Sequence, residues 1–144
     1  MTGKEYLQRV RKHIWYVFDR DDNKDHELQA AVAFAQKQGY HIAYSNPSFE
    51  YWYLIHFEKR NGFIKDSAAV IDILKRNGYL ANYEKSIDVY EDLYAHQQIA
   101  IERARERVNQ LKRDDTSIIS CNSNPVTTVY ELVEFLNSQR TGDE

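Results

Sequence analysis

Trp15-Tyr16-Val17-Phe18-Asp19-Arg20-Asp21-Asp22-Asn23 decides how this chain is read, because four apolar residues of strand character open into three carboxylates within four positions. A buried strand is not ordinarily followed by an acidic knot. In an open α/β sheet, ligands bind outside the carboxyl ends of the strands, and Asp19, Asp21 and Asp22 fall there. Asp19 and Asp21 are two apart, so on an extended backbone both point to one side. Together they can share a hard cation such as Mg²⁺, which takes oxygen ligands and keeps several waters. The alternative is a polar turn that caps the next helix through Asp22-Asn23 or Asp25.

Outward from this stretch, the pattern predicts a small α/β unit followed by helices. Tyr6, Leu7 and Val10 have helical spacing within residues 3–12, and Ile14 to Phe18 reads as the first strand. From a cap at Asp25, residues 26–38 place Leu28, Ala31, Val32 and Ala35 on one helical face, with Gly39 as the stop. His41 to Tyr44 reads as a second strand, which completes a parallel strand–helix–strand crossover. Two strands alone leave open edges, so a further element is expected to cover them.

The block Ser45-Asn46-Pro47-Ser48-Phe49-Glu50-Tyr51-Trp52 starts like a helix, with Asn46 as cap and Pro47 in the first turn. Apolar residues on all sides mark this helix as buried, and Glu50 therefore needs a partner. A backbone N–H, Arg20, or a metal shared with Asp19 and Asp21 would each serve. A dipole-stabilised glutamate in the capping turn is the simpler alternative. On the same helix, His56 reads as a packed or hydrogen-bonded side chain rather than a ligand.

Residues 66–76 repeat Ala69, Val70, Ile73 and Leu74 behind an Asp66 cap and end at Asn77-Gly78. A long helix is expected from Asp88 to Arg113, with Asp88 and Glu91 at capping-box spacing. Its Arg103, Arg105, Arg107, Lys112 and Arg113 are interleaved with Glu102 and Glu106. That run is either a solvated face with local ion pairs or a phosphate-contacting ridge. Residues 114–125 read as loop, a last helix starts at a Thr128/Glu131 capping box, and 138–144 read as a frayed tail. The expected organisation is one domain, with an α/β core over 1–60 and a helical extension over 61–144.

Composition sets the outer limits. The net charge of −3 and pI near 6.0 carry no overall electrostatic footprint for nucleic acid, so any such contact must be local. A single cysteine, Cys121, excludes an internal disulfide and a multi-thiolate zinc site. No run approaches the roughly 18 apolar residues of a membrane span, and no signal-peptide core is visible. A cytoplasmic protein without membrane association is therefore expected.

The order Val17-Phe18-Asp19-Arg20-Asp21, Ser45-Asn46-Pro47-Ser48-Phe49-Glu50-Tyr51-Trp52, Tyr83-Glu84-Lys85 and Asn124-Pro125-Val126-Thr127-Thr128-Val129-Tyr130-Glu131-Leu132-Val133 resembles the RloB family from about residue 14 to 137. RloB-like proteins resemble TOPRIM domains and are associated with phage defence and abortive infection, often beside an ABC-type ATPase. The resemblance implies an α/β fold with a small, partial TOPRIM-like parallel sheet and a helical C-terminal half. It also implies a Mg²⁺- or Mn²⁺-dependent nuclease centre acting on DNA or RNA, with Asp19 and Asp21 as the Asp-x-Asp pair. On this reading Asp19, Asp21 and Glu50 are the catalytic candidates, Asp19, Asp21 and Asp22 hold the metal, and Arg20, Asn46, Arg103 and Arg107 contact nucleic acid. TOPRIM-like domains begin with a glutamate-bearing strand, whereas Met1 to His13 read as a helix here. The centre is thus expected to be incomplete in this chain, and a homo-oligomer is expected. The alternative is a degenerate, non-catalytic module that docks on an ATPase or on itself.

Overall fold

Strand β1 (Trp15–Asp19) runs parallel to β2 (His41–Asn46), in a register that sets Phe18 opposite Tyr44 and Asp19 opposite Ser45. The structure, a computed structural model, describes residues 2–5, 13–21, 24–85 and 87–142, the last two by backbone only. Helix α1 (Asp25–Gln38) joins the two strands and ends where Gly39 takes a left-handed φ of 77°, as its sequence predicts. The cap is Lys24 rather than Asp25: Glu27 accepts from the Lys24 N–H, while Asp25 pairs with Arg20 at 2.5 Å. Residues 3–5 are helical, and Tyr6, Leu7 and Val10 lie outside the described residues.

Strand β2 continues two residues beyond the expected Tyr44, because a third strand not anticipated from sequence, β3 (Val126–Thr127), pairs antiparallel with Ser45 and Asn46. Among the described residues the sheet order is β1-β2-β3, which leaves β1 at an edge with Tyr16 40 % and Val17 45 % exposed. The strand read as buried is half-covered. Asn46 consequently ends a strand instead of capping a helix, and the following helix α2 (Glu50–Leu54) starts three residues after Pro47. Both Asn46-Pro47 and Asn124-Pro125 are cis.

Helix α3 (Ser67–Arg76) forms as expected, with the Asp66 carboxylate accepting from the Ala69 N–H and Gly78 at φ 73° after its end. The expected long helix is two: α4 (Tyr90–Tyr94) and α5 (Gln97–Arg113). At the join the His96 N–H bonds to Leu93 O, three residues back, and this tight closure interrupts the α-helical ladder. The N-cap of α4 is Val89 rather than the expected Asp88, which lies one residue outside and accepts from the Tyr90 N–H at 2.9 Å. Helix α6 (Val129–Gly142) runs through most of the stretch read as tail. Its expected capping box gives way to a tertiary bond, because the Thr128 hydroxyl accepts from the Tyr44 N–H at 2.8 Å.

The core lies between the sheet and the helical half, where Tyr44, Tyr51, Leu54 and Ile55 meet Val70, Leu74, Ala100, Ala104 and Val126. Among the described residues no helix is long and apolar enough to cross a membrane.

Asn124 ties the 60s loop to β3: its side chain accepts from the Ile64 N–H at 2.9 Å and donates to the Ile64 carbonyl at 2.6 Å. Asn124→Ala leaves both main-chain groups of a buried residue without partners and should cost about 2 kcal/mol or more. Removing the exposed Arg105–Glu134 pair by Arg105→Ala should cost less than about 1 kcal/mol. Urea denaturation of the two variants checks the ranking.

Candidate functional site

The carboxyl rim of β1 and β2 is built by three main-chain contacts. The Arg20 N–H donates to Ser45 O at 2.9 Å, the Asp21 N–H to Pro47 O at 2.7 Å, and the Phe49 N–H to Asp19 Oδ2 at 3.2 Å. Asp21 sits at φ 28°, a left-handed turn that aspartate tolerates better than most side chains. The loop that leaves β2 therefore folds back over the end of β1 and brings the start of α2 against Asp19. Asp22 lies outside the described residues. Among the described residues no three His, Cys, Asp or Glu side chains group so as to hold a metal ion.

Glu50, one residue beyond the Phe49 contact, is turned into the protein at 5 % exposure. Its Oε1 accepts from the Ser67 hydroxyl at 2.9 Å and from Lys85 Nζ at 3.3 Å, and its Oε2 from the Tyr83 hydroxyl at 3.1 Å. Burial pushes the carboxyl upward, but Ser67, Lys85 and Tyr83 together outweigh burial and hold it below the usual carboxylate range. Glu50 thus finds side-chain donors instead of the backbone N–H or Arg20 expected from sequence. Arg20 is taken by Asp25. Tyr83 and Lys85 lie on an irregular connection whose sequence carries no local signal of this pairing. Ser67, at the start of α3, carried none either.

The four proposed nucleic-acid contacts are all engaged within the protein. Asn46, 2 % exposed, donates to Ser120 O and Ser123 Oγ. Arg103 donates to Ile55 O at 2.8 Å, and Arg107 to Pro125 O at 2.8 Å and to Asn124 O at 3.4 Å. The expected pairing within α5 is replaced by pairs to other segments, Lys59–Glu106 and Arg105–Glu134. Among the described residues the buried Arg20 Nη1 and the nearby Tyr44 hydroxyl have no hydrogen-bond partner, and Asp25 balances the Arg20 charge.

The four sequence blocks that carry the resemblance meet in space. Asp19 touches Phe49, Glu50 touches Tyr83 and Lys85, Asn46 touches Asn124, and the Ser45 and Thr127 hydroxyls lie 2.8 Å apart. The profile of the RloB-like protein family matches residues 3–136. The chain belongs to the RloB family. No curated protein and no solved structure matches it. In this RloB chain the shared blocks are the groups that bind sheet, α2 and the 83–85 loop into one unit.

His56, 3 % exposed behind the rim, shares a 2.8 Å hydrogen bond between Nδ1 and Trp52 O. Burial drives its pKa down from 6.5 to about 4, and His96 and Arg103 add to the effect against the Trp52 bond. Between those two values the unfolded chain binds the extra proton, so stability is full above about pH 6.5 and falls as pH drops toward 4. The depressed Glu50 carboxyl acts only below the ordinary carboxylate range, where its protonation removes further stability. Thermal melts from pH 8 to pH 4 should show the first loss beginning near 6.5, and His56→Asn, which keeps a donor for Trp52 O, should flatten that segment.

Proposed function

We propose that this chain supplies the Asp-x-Asp part of a Mg²⁺- or Mn²⁺-dependent, TOPRIM-like centre that cleaves DNA or RNA, as a nuclease subunit of a bacterial anti-phage defence system. The observation that supports this most is the placement of Asp19 and Asp21 at the carboxyl rim of a parallel strand pair, with the β2–α2 loop bonded across it. Such rims are where α/β sheets bind ligands. Family membership supports the same reading.

The donor chemistry fits. Mg²⁺ is commonly held by one or two carboxylates with waters and substrate oxygens making up the rest, and a carboxylate has acceptor capacity beyond the bond Asp19 makes to Phe49 N–H. When bound, the ion supplies positive charge for the attacking and leaving phosphodiester oxygens. Glu50 serves as a positioning residue: with its oxygens on Ser67, Tyr83 and Lys85, it holds α2 so that the Phe49 N–H stays on Asp19. Further carboxylates for a two-metal centre come from a second copy or partner.

A non-catalytic module that docks on an ATPase or on itself is the second reading. It is favoured by the neutralised Glu50 and by the edge formed by β1 and α1, where Tyr16, Val17 and Phe34 are 40 %, 45 % and 51 % exposed. Aromatic and β-branched residues on an uncovered edge are a ready pairing surface.

Millimolar Mg²⁺ should raise the melting temperature of the wild-type chain by mass action, and the Asp19→Asn/Asp21→Asn double variant should lose that response while remaining folded. Metal-dependent cleavage of DNA or RNA that disappears in the double variant establishes the nuclease. No metal response in either protein, with a dimer in light scattering, establishes the module.

A further inference from the structure

A cavity of about 450 Å³ opens between the end of α2, α4, the start of α5 and α6. That volume lies in the range of small-molecule sites. Its walls carry Trp52, Tyr53, Tyr90 and Tyr94, and the last two are 53 % and 58 % exposed although they flank the buried Leu93. Tyr90 and Tyr94 are one helical turn apart, with ring centroids separated by 5.4 Å, and form a continuous aromatic lip. Exposed aromatic surface of this kind is costly unless something covers it.

Three polar features narrow what covers it. His56 lines the cavity and gives its Nδ1–H to Trp52 O, because a carbonyl can only accept. In the neutral ring this makes Nε2 a lone-pair acceptor, and it has no partner among the described residues. On the α5–α6 side, the Asn137 amide donates to Gln97 Oε1 at 3.1 Å, which sets two carboxamides, each with donor and acceptor atoms, against the cavity. At the mouth Arg140 makes no salt bridge among the described residues, and Asp88 on the opposite lip already holds the Tyr90 N–H.

We propose that this cavity binds a nucleobase, stacked on the exposed Tyr90 and Tyr94 rings, with an N–H on His56 Nε2, its polar edge on Gln97 and Asn137, and the attached phosphate on Arg140. A phenol or indole side chain would satisfy the rings and His56 but has no use for the paired carboxamides and the guanidinium. Stacking on aromatic rings tolerates every base, because each presents a π-face. The same chemistry is carried by a free nucleotide and by an unstacked base of a single strand. This site stands apart from the proposed metal centre, since base binding needs neither Asp19 nor Mg²⁺.

Titrations in EDTA separate the two proposals. Full-length Trp15→Phe protein keeps Trp52 as its single indole, so quenching of its fluorescence reports occupancy of the cavity. AMP, GMP, CMP and UMP, and a labelled eight-nucleotide single strand, are the probes. Saturable quenching by at least one of them supports the site, with Tyr90→Ala or Tyr94→Ala weakening it on the order of 10-fold. Arg140→Ala should abolish the preference for AMP over adenosine. Binding of the strand at least about 10-fold tighter than any mononucleotide assigns the base to nucleic acid, and the reverse order assigns it to a free nucleotide. The proposal is overturned if none of the probes quenches at concentrations up to about 10 mM. It is equally overturned if N-acetyltryptophanamide binds as well as the nucleotides, or if the Tyr variants bind like wild type.

Discussion

One buried carboxylate organises the middle of this protein. Glu50 is nearly sealed from water, and an ionised side chain can stay there only if donors surround it. Its donors come from two separate segments: Ser67 opens α3, while Tyr83 and Lys85 lie on the connection that follows that helix. Satisfying Glu50 therefore fixes α2 against both. Lys85 is 64 % exposed, so water screens its attraction, and the Ser67 hydroxyl is the largest single influence that keeps Glu50 ionised. Such an arrangement contributes more to specificity than to stability, because only one packing of α2 satisfies the charge. The Asp19 rim inherits its geometry from this constraint through Phe49, and the aromatic cavity inherits it through Trp52 and Tyr53.

A second polar junction closes the other side. Asn46, Ser120, Ser123 and Asn124 bond to one another, Ser45 meets Thr127, and Thr128 exchanges bonds with the main chain of Tyr44. Partly satisfied, such a network inside the protein is costly. With its members paired, it specifies one register between β2 and the distant 120s segment. Blocks that mark the family in sequence thus act here as tethers, and side chains that resemble ligand-binding groups are used to hold backbone in place. Arg103 and Arg107 follow the same logic, because carbonyls at the ends of α2 and before β3 need donors where those segments are buried.

Local physics made much of the fold legible. The apolar period of α1 and α3, the left-handed stop at Gly39, the Asp66 cap and the parallel β1–β2 pair follow from nearby residues alone. What local reading missed depends on partners far along the chain. Strand β3 is two residues long and exists because Ser45 and Asn46 pair with it, which also converts Asn46 from an apparent helix cap into a strand end. Thr128 has the identity of a capping residue, yet its hydroxyl goes to a strand more than 80 positions earlier. At the site, the acidic rim was readable because strand and carboxylates are contiguous. The partners of Glu50 were hidden because two of its three donors sit on chain with no regular period.

Charge distribution would bear on any contact with nucleic acid. The chain's net charge is −3, and three cations of the basic stretch are engaged within the protein, Arg103 and Arg107 by main-chain carbonyls and Arg105 by Glu134. Phosphate contacts by these three arginines, and the counterion release that accompanies them, would therefore contribute little. Recognition led by the bases escapes this limit, since stacking depends on π-faces and not on the sign of the surface charge. The exposed rings of Tyr90 and Tyr94, at the mouth of the aromatic cavity, are suited to it. A strand held there by a base would approach the Asp19 rim as a tethered polyanion. Its phosphates would be repelled by the acidic rim until a divalent cation neutralised it, which would make the metal an electrostatic requirement for approach as well as for chemistry.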